Sequence, residues 1–256
     1  MFEYLKYDAK GVKNVCDMQS FHADMGMNIW VKKFAAGESV TICDDKLETA
    51  ALLLGGEVSF AWEDKSEIGK RRDPFEKKPY CLHVCRGTAI TVSAVTESEV
   101  LFQQTDNDRE FPAVFYTPDD CLYQEFGKGQ WGGAGHRIVS TMFDYDNAPY
   151  SNMVMGEVFT QPGKWSSYPP HHHPQPEVYF YMFDKPQGFG ACYNGDKVYK
   201  STHGSACYIE PGESHQQAAA PGYEMYYVWL IRHIDGDPWF KTTRFVDPEH
   251  EWLTNA

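Results

Sequence analysis

The chain has 256 residues, with 36 aspartates and glutamates against 23 lysines and arginines, a formal net charge of −13. Such a balance argues against nucleic acid and anionic membrane surfaces as partners. A hydrophobic content of 42% with 15% aromatics is enough for one large core or two modest ones.

Residues 1–6 form no cationic apolar leader, and no apolar run approaches the roughly 20 residues of a membrane span. Cys16, Cys43, Cys81, Cys85, Cys121, Cys192 and Cys207 are an odd number without framework spacing, which predicts reduced thiols and a cytoplasmic protein. Cys81 and Cys85 read as core residues. Residues 27–34 and 39–43 read as strands. Residues 48–62 read as two strands around a Gly55-Gly56 turn. A charged loop follows at 63–78, and its Lys70, Arg71 and Arg72 are expected to be exposed, with reach across an interface as the alternative. Further strands are predicted at 81–84, 88–95 and 99–103. Residues 104–130 read as a connector. The glycine-rich run 127–135 lacks the strand–turn–helix setting of a phosphate loop. A strand over 136–143 carries Arg137.

The most informative stretch is Pro169-Pro170-His171-His172-His173-Pro174-Gln175-Pro176-Glu177, followed by an aromatic strand to Phe183. Side chains two apart on an extended chain share a face, so His171 and His173 converge while His172 faces away. The proline-containing bend brings Glu177 back to the same point. Downstream, Pro211-Gly212-Glu213-Ser214-His215 supplies a turn that aims a further histidine. Three imidazoles and a carboxylate suit one divalent metal ion: Zn, Mn, Fe or Ni. Alternation along 177–183 places Glu177, Tyr179, Tyr181 and Phe183 on the metal face, so Tyr181 is a candidate hydrogen-bond donor or proton relay. Asn194-Gly195 signals a hairpin. Short strands with turns between them, and no sustained 3.6-residue period, predict an all-β protein. A weak internal repeat sets Glu48 against Glu177 and Ile90 against His215. With no His-x-His before Glu48, the first half reads as a barrel without a metal site, used for packing, oligomerisation or walling the other site.

His171-x-His173-x3-Glu177 with Pro211-Gly212-x-x-His215 resembles the paired motifs of the cupin superfamily. Over a longer span, residues 151–158, 162–173 and 221–227 resemble the 5-deoxy-glucuronate isomerases of inositol breakdown, with the 5-keto-4-deoxyuronate isomerases as a sister family. The resemblance is strong over residues 130–253 and weaker before. It implies a bicupin of two jelly-roll barrels with short helices only, residues 1–115 without metal and residues 116–256 with it. It further implies an intramolecular oxidoreductase acting on a small anionic sugar acid and working as a homo-oligomer. Within that reading Arg137 or Lys164 holds the substrate carboxylate, arginine being the better bidentate partner. The tail from Trp239 to Leu253 also resembles these families, and its tryptophans and leucine are expected to dock on the barrel. His172, Pro174, Pro176, Trp229, Arg232 and His233 depart from the family pattern, which leaves the exact sugar open. A metal-dependent dioxygenase and a non-catalytic sugar-binding cupin are the alternatives from other classes.

Overall fold

A computed structural model describes residues 1–255. They are almost entirely β, and the short helices are all of the 3-10 type. The chain divides into two compact units, Lys6–Cys121 with Ala148–Met153, and Met1–Leu5 with Leu122–Asn147 and Val154–Ala256.

In the first unit the strand Leu47–Trp62 runs unbroken for 16 residues. Its first part pairs with Ser98–Asp106 and its second with Ile90–Ala94. The expected Gly55-Gly56 hairpin turn is therefore a corner, where one strand leaves one ladder for another. The register shifts between Leu53 and Gly55, and Gly56 has φ 101°. A Cβ at Gly56 would lie 2.2 Å from Ser98 Oγ and 2.5 Å from the Glu97 carbonyl oxygen, so only glycine lets the chain bend there.

The charged stretch after it is no loop either. Lys65–Arg71 is a strand, paired along its whole length with Gly56–Trp62. It is polar because most of it faces water. Lys70 and Arg72 are exposed as expected and pair with Glu57 and Asp73. Arg71 is fully buried instead, donating to the carbonyls of Leu53 and Pro74 at 2.9 Å each.

The core of this unit contains Ala51, Leu53, Leu82, Val84, Ile90 and Phe102. Ile90 opens the strand Ile90–Ala94 and sits in that core, where the repeat sets it against His215. Glu48 does not match Glu177. The core face of its strand carries Ala51 and Leu53, so alternation turns Glu48 to the opposite face. There it is wholly buried and accepts hydrogen bonds from Ser151 Oγ (2.9 Å) and the Asn152 amide (2.6 Å), with His83 Nε2 at 2.9 Å.

On the strand Ser98–Asp106, Glu99 is partly buried and takes the Tyr7 hydroxyl. Burial pushes its carboxyl up to about 7 from 4.5. Because the folded-state value is the higher one, this group's stabilising contribution is complete below pH 4.5 and is lost as pH rises through 7. Glu99→Gln should therefore be more stable than wild type at pH 8, by about 3 kcal/mol, with the two melting temperatures converging near pH 4.5. Parallel melting curves across that range would show that the carboxyl titrates normally.

In the second unit, a seven-stranded sheet runs in the order Phe2–Tyr4, Ser205–Ile209, Glu177–Phe183, Met225–Arg232, Met153–Thr160, Arg137–Phe143 and Leu122–Phe126. A five-stranded sheet contains Phe189–Asn194, His215–Ala219 and Trp165–His172. Cys192 and Ala219 from the smaller sheet share a core with Tyr179, Tyr181, Phe183, Cys207 and Tyr227 from the larger. This is the two-sheet sandwich of a jelly roll. Asn194 and Lys197 close the expected hairpin, with Gly195 at φ 56°.

Candidate metal centre

Three of the four candidate ligands lie on strands, and His173 follows just after the strand Trp165–His172. His171 lies near the end of Trp165–His172 and is the cross-strand partner of His215, which opens His215–Ala219. Such direct partners have neighbouring side chains, and the two imidazole centroids are 4.5 Å apart. Glu177 opens the strand Glu177–Phe183, an interior strand of the larger sheet. Ligand atoms of His173, Glu177 and His215 all lie within 4.8 Å of one another. His171 stands beside this triangle rather than in it, its ring centroid 6.5 Å from that of His173. All four side chains are at least nine-tenths buried. His172 faces away from the site, its Nδ1 3.1 Å from Asp247 Oδ1.

The hydrogen bonds decide what the histidines offer. His171 Nδ1 is 2.9 Å from the Pro169 carbonyl, His173 Nδ1 3.0 Å from that of Gln175, and His215 Nδ1 3.1 Å from that of Glu213. A carbonyl only accepts, so each Nδ1 carries the proton and each Nε2 of a neutral ring is a bare lone pair. The Nε2 atoms of His173 and His215 both lie 3.2 Å from Glu177 Oε2, and His215 Nε2 is buried without a hydrogen bond. Burial pushes the Glu177 carboxyl up, but its contacts with His173 and His215 outweigh that and hold it at about 2. Burial, with the field of His215 and Arg244, holds the His171 imidazole well below its usual value and therefore neutral. The Nε2 atoms of His173 and His215 thus face the Glu177 carboxylate from two sides, and locking the far nitrogen to a carbonyl is how metal-binding imidazoles are oriented. The donor set fits a divalent metal of the zinc or iron type.

The triangle opens into a cavity of about 610 Å³ including its mouth. Arg137 lines it. Tyr181 does not: it is fully buried and donates to Gln217 Oε1 at 2.7 Å. Lys164 also lies outside the lining. The phenols in the cavity are Tyr179 and Tyr227, which flank Ser167 Oγ at 3.0 and 3.1 Å. Ser167 has φ 49°, a left-handed conformation uncommon outside glycine. Burial raises both phenols, Tyr227 to about 12 and Tyr179 further, so both keep their protons at neutral pH. Tyr227 is legible from sequence only once the strands are paired, since it sits opposite Tyr181 in the ladder.

Trp229 and Trp239 form another wall, their rings 5.2 Å apart. Trp229 lies over Gly156, where a Cβ would come within 2.3 Å of its Nε1; glycine makes room for the indole. Lys241 and Arg244 reach the cavity from the tail. Of the tail residues expected to dock, Trp239 and Leu253 are buried, whereas Trp252 is 67% exposed.

A buried His–Glu–His triangle held on the strands of a small jelly roll defines a cupin. The model of the KduI/IolB family matches residues 4–253. The chain belongs to the KduI/IolB family. It is 27% identical to the 5-deoxy-glucuronate isomerase of Bacillus licheniformis, over 96% of this chain and 94% of that one. It is 29% identical to that of Geobacillus kaustophilus, over 91% and 86%. Both relatives bear the name of an isomerase, and an isomerase is the class of enzyme to which the chain is assigned. Among solved structures, an IolB-like protein from Salmonella typhimurium superposes with a TM-score of 0.88 at 23% identity, covering 99% of this chain and 98% of that one. Oxalate decarboxylase from Lactobacillus farciminis shares the fold, with a TM-score of 0.69 at 12% identity over 99% and 88%.

Proposed function

We propose that this protein is a metal-dependent aldose–ketose isomerase that converts 5-deoxy-glucuronate to 5-keto-2-deoxy-gluconate in inositol breakdown. The observation that carries the metal part is the convergence of ligand atoms of His173, Glu177 and His215, all within 4.8 Å of one another. His173, Glu177 and His215 would hold the ion, with His171 as the fourth ligand. When bound, a divalent ion supplies a Lewis acid that polarises a carbonyl and stabilises the enediolate as charge develops on oxygen. The substrate is an aldehyde with a neighbouring hydroxyl at one end and a carboxylate at the other. Moving one proton from C2 to C1 and one from O2 to O1 turns the aldehyde into a primary alcohol and leaves a ketone at C2. Numbered from the acid end, that ketone is C5 and the methylene is C2, so atoms and electrons balance without nicotinamide or oxygen.

The chain's own groups supply position and protons. Arg137 presents a buried fork of N–H donors to the carboxylate. Tyr179 Oη and Tyr227 Oη, kept protonated by burial, donate hydrogen bonds to substrate hydroxyls, with Ser167 Oγ linking the two. The tryptophan wall excludes water from the enediolate. A reducing cytoplasm is part of this reading.

The test is to follow the C1 and C2 proton signals of 5-deoxy-glucuronate by NMR, anaerobically, with chelator-stripped and re-metallated protein. Turnover should vanish on stripping and return with the metal. A requirement for oxygen would overturn the reading in favour of a dioxygenase. Within the same assay, Arg137→Ala should lower kcat/KM by about 10- to 100-fold, the worth of a charge-assisted contact, with metal content unchanged. An Arg137→Ala enzyme as active as wild type would remove Arg137 from the site.

A further inference from the structure

The cavity beside the His–Glu–His triangle contains more positive charge than the surrounding residues balance. Arg137 is only 8% exposed. It donates to the carbonyls of Gly135 (3.0 Å) and Tyr168 (3.3 Å) and lies over the Phe126 ring. Among the described residues no carboxylate pairs with it. Arg244 lines the same cavity, donates from Nε to the Lys241 carbonyl at 3.3 Å, and likewise has no carboxylate partner among the described residues. Lys241, the third cation there, is already taken by Asp144 and Asp146. A buried guanidinium without a counter-ion is costly. Here one such group, Arg137, shares its cavity with the exposed Arg244, in a chain of net charge −13. An anion that enters this cavity resolves the cost.

The two arginines differ in how they are held. Arg137 is fixed within the larger sheet. Arg244 sits on a tail segment pinned on both sides. Before it, Trp239 is buried against Trp229, and its amide donates to His233 Nδ1 at 2.9 Å. After it, Phe245–Val246 pairs with the ligand strand at His171 and His172. Asp247 then takes the Ser214 hydroxyl at 2.6 Å and donates its amide to the Pro170 carbonyl at 3.0 Å. Between these pins Arg244 is exposed at the cavity mouth.

We propose that Arg244 is a specificity-determining residue: with Arg137 as the fixed floor, it forms a two-arginine clamp that grips the carboxylate of the sugar acid and closes the mouth over it. This rests on the isomerase reading and names the part of the site that tells an acid from a neutral sugar. Two planar forks give each carboxylate oxygen a donor from each arginine. A phosphate would leave an oxygen unmatched, and a neutral sugar would leave both guanidinium charges unbalanced.

The experiment uses the metal-loaded full chain and its Arg244→Gln and Arg244→Lys variants. Calorimetry with 2-deoxy-gluconate and its neutral counterpart 2-deoxy-glucitol gives affinities without turnover. Trypsin cleavage after Lys241 and Arg244 reports closure, and kinetics with 5-deoxy-glucuronate separates KM from kcat. The acid should bind roughly 10- to 50-fold more weakly to Arg244→Gln, with the neutral compound unchanged. KM should rise by a similar factor, with kcat within about threefold. Arg244→Lys should recover only part of the loss, because lysine keeps the charge and lacks the fork. In wild type the acid alone should slow cleavage after Arg244. Equal losses for acid and neutral ligand, no loss for the acid, or a wild type that binds neither would each overturn the clamp. Tight acid binding that depends on Arg244, without any isomerisation, would keep the clamp and discard the isomerase reading instead.

Discussion

Glu177→Ala should strip the metal from the protein and lower isomerase activity by about a thousandfold or more, since a Lewis-acid metal supplies several kcal/mol at the transition state and each 1.36 kcal/mol is tenfold in rate. The reason is local. Glu177 is the one anionic group in the triangle, and without it three neutral imidazoles remain to hold a dication. Metal analysis on purified variants checks this directly. His173→Ala and His215→Ala should lose most of their metal. His172→Ala should keep it, because its Nδ1 faces Asp247 and not the triangle. Metal retained in Glu177→Ala and lost in His172→Ala would mean that the ligand set is wrong.

How much of this was legible in sequence depended on range. The His171-x-His173 pair and the alternation from Glu177 to Phe183 are local, governed by a backbone period of two. They put His173 and Glu177 near one point without knowledge of the fold, but His171, expected to converge with them, stands beside the triangle, and His173 lies just past the end of its strand. Alternation could not say how deep in the barrel a side chain lies. Tyr181 shares a face with Tyr179 but is one layer further in, against Gln217, and only the cavity shows which phenol meets a substrate. Arg244 had no local signal at all. It reaches the site because Phe245–Val246 adds to the ligand strand some 75 residues earlier, a long-range pairing that spacing does not encode. The first half failed in two other ways. Gly55-Gly56 reads as a turn by composition, yet glycine also permits a strand to bend without reversing. Lys65–Arg71 is too polar to look like a strand, because an exposed strand has little to bury. The comparison of Glu48 with Glu177 matched residue types along the chain and missed the one-residue offset that reverses the face.

That offset gives Glu48 a different role, and its removal should be costly in stability rather than in metal. Glu48 is 0% exposed and serves three groups: Ser151 Oγ, the Asn152 amide and His83 Nε2. It therefore ties the segment Ala148–Met153 to the strands Leu47–Trp62 and Cys81–Val84 within one compact unit. Glu48→Ala leaves a space and takes the acceptor from buried donors at once. Breaking a buried charged network from one side costs about 3–5 kcal/mol, which lowers the melting temperature by roughly 10 °C or more in a domain of this size. Glu48→Gln keeps the shape and one acceptor oxygen, and should recover part of that loss. Measured on the fraction that stays folded, metal content should be that of wild type in both variants, because the triangle belongs entirely to the other unit. A Glu48→Ala protein that melts normally but has lost its metal would show that the carboxylate serves a site and not the fold.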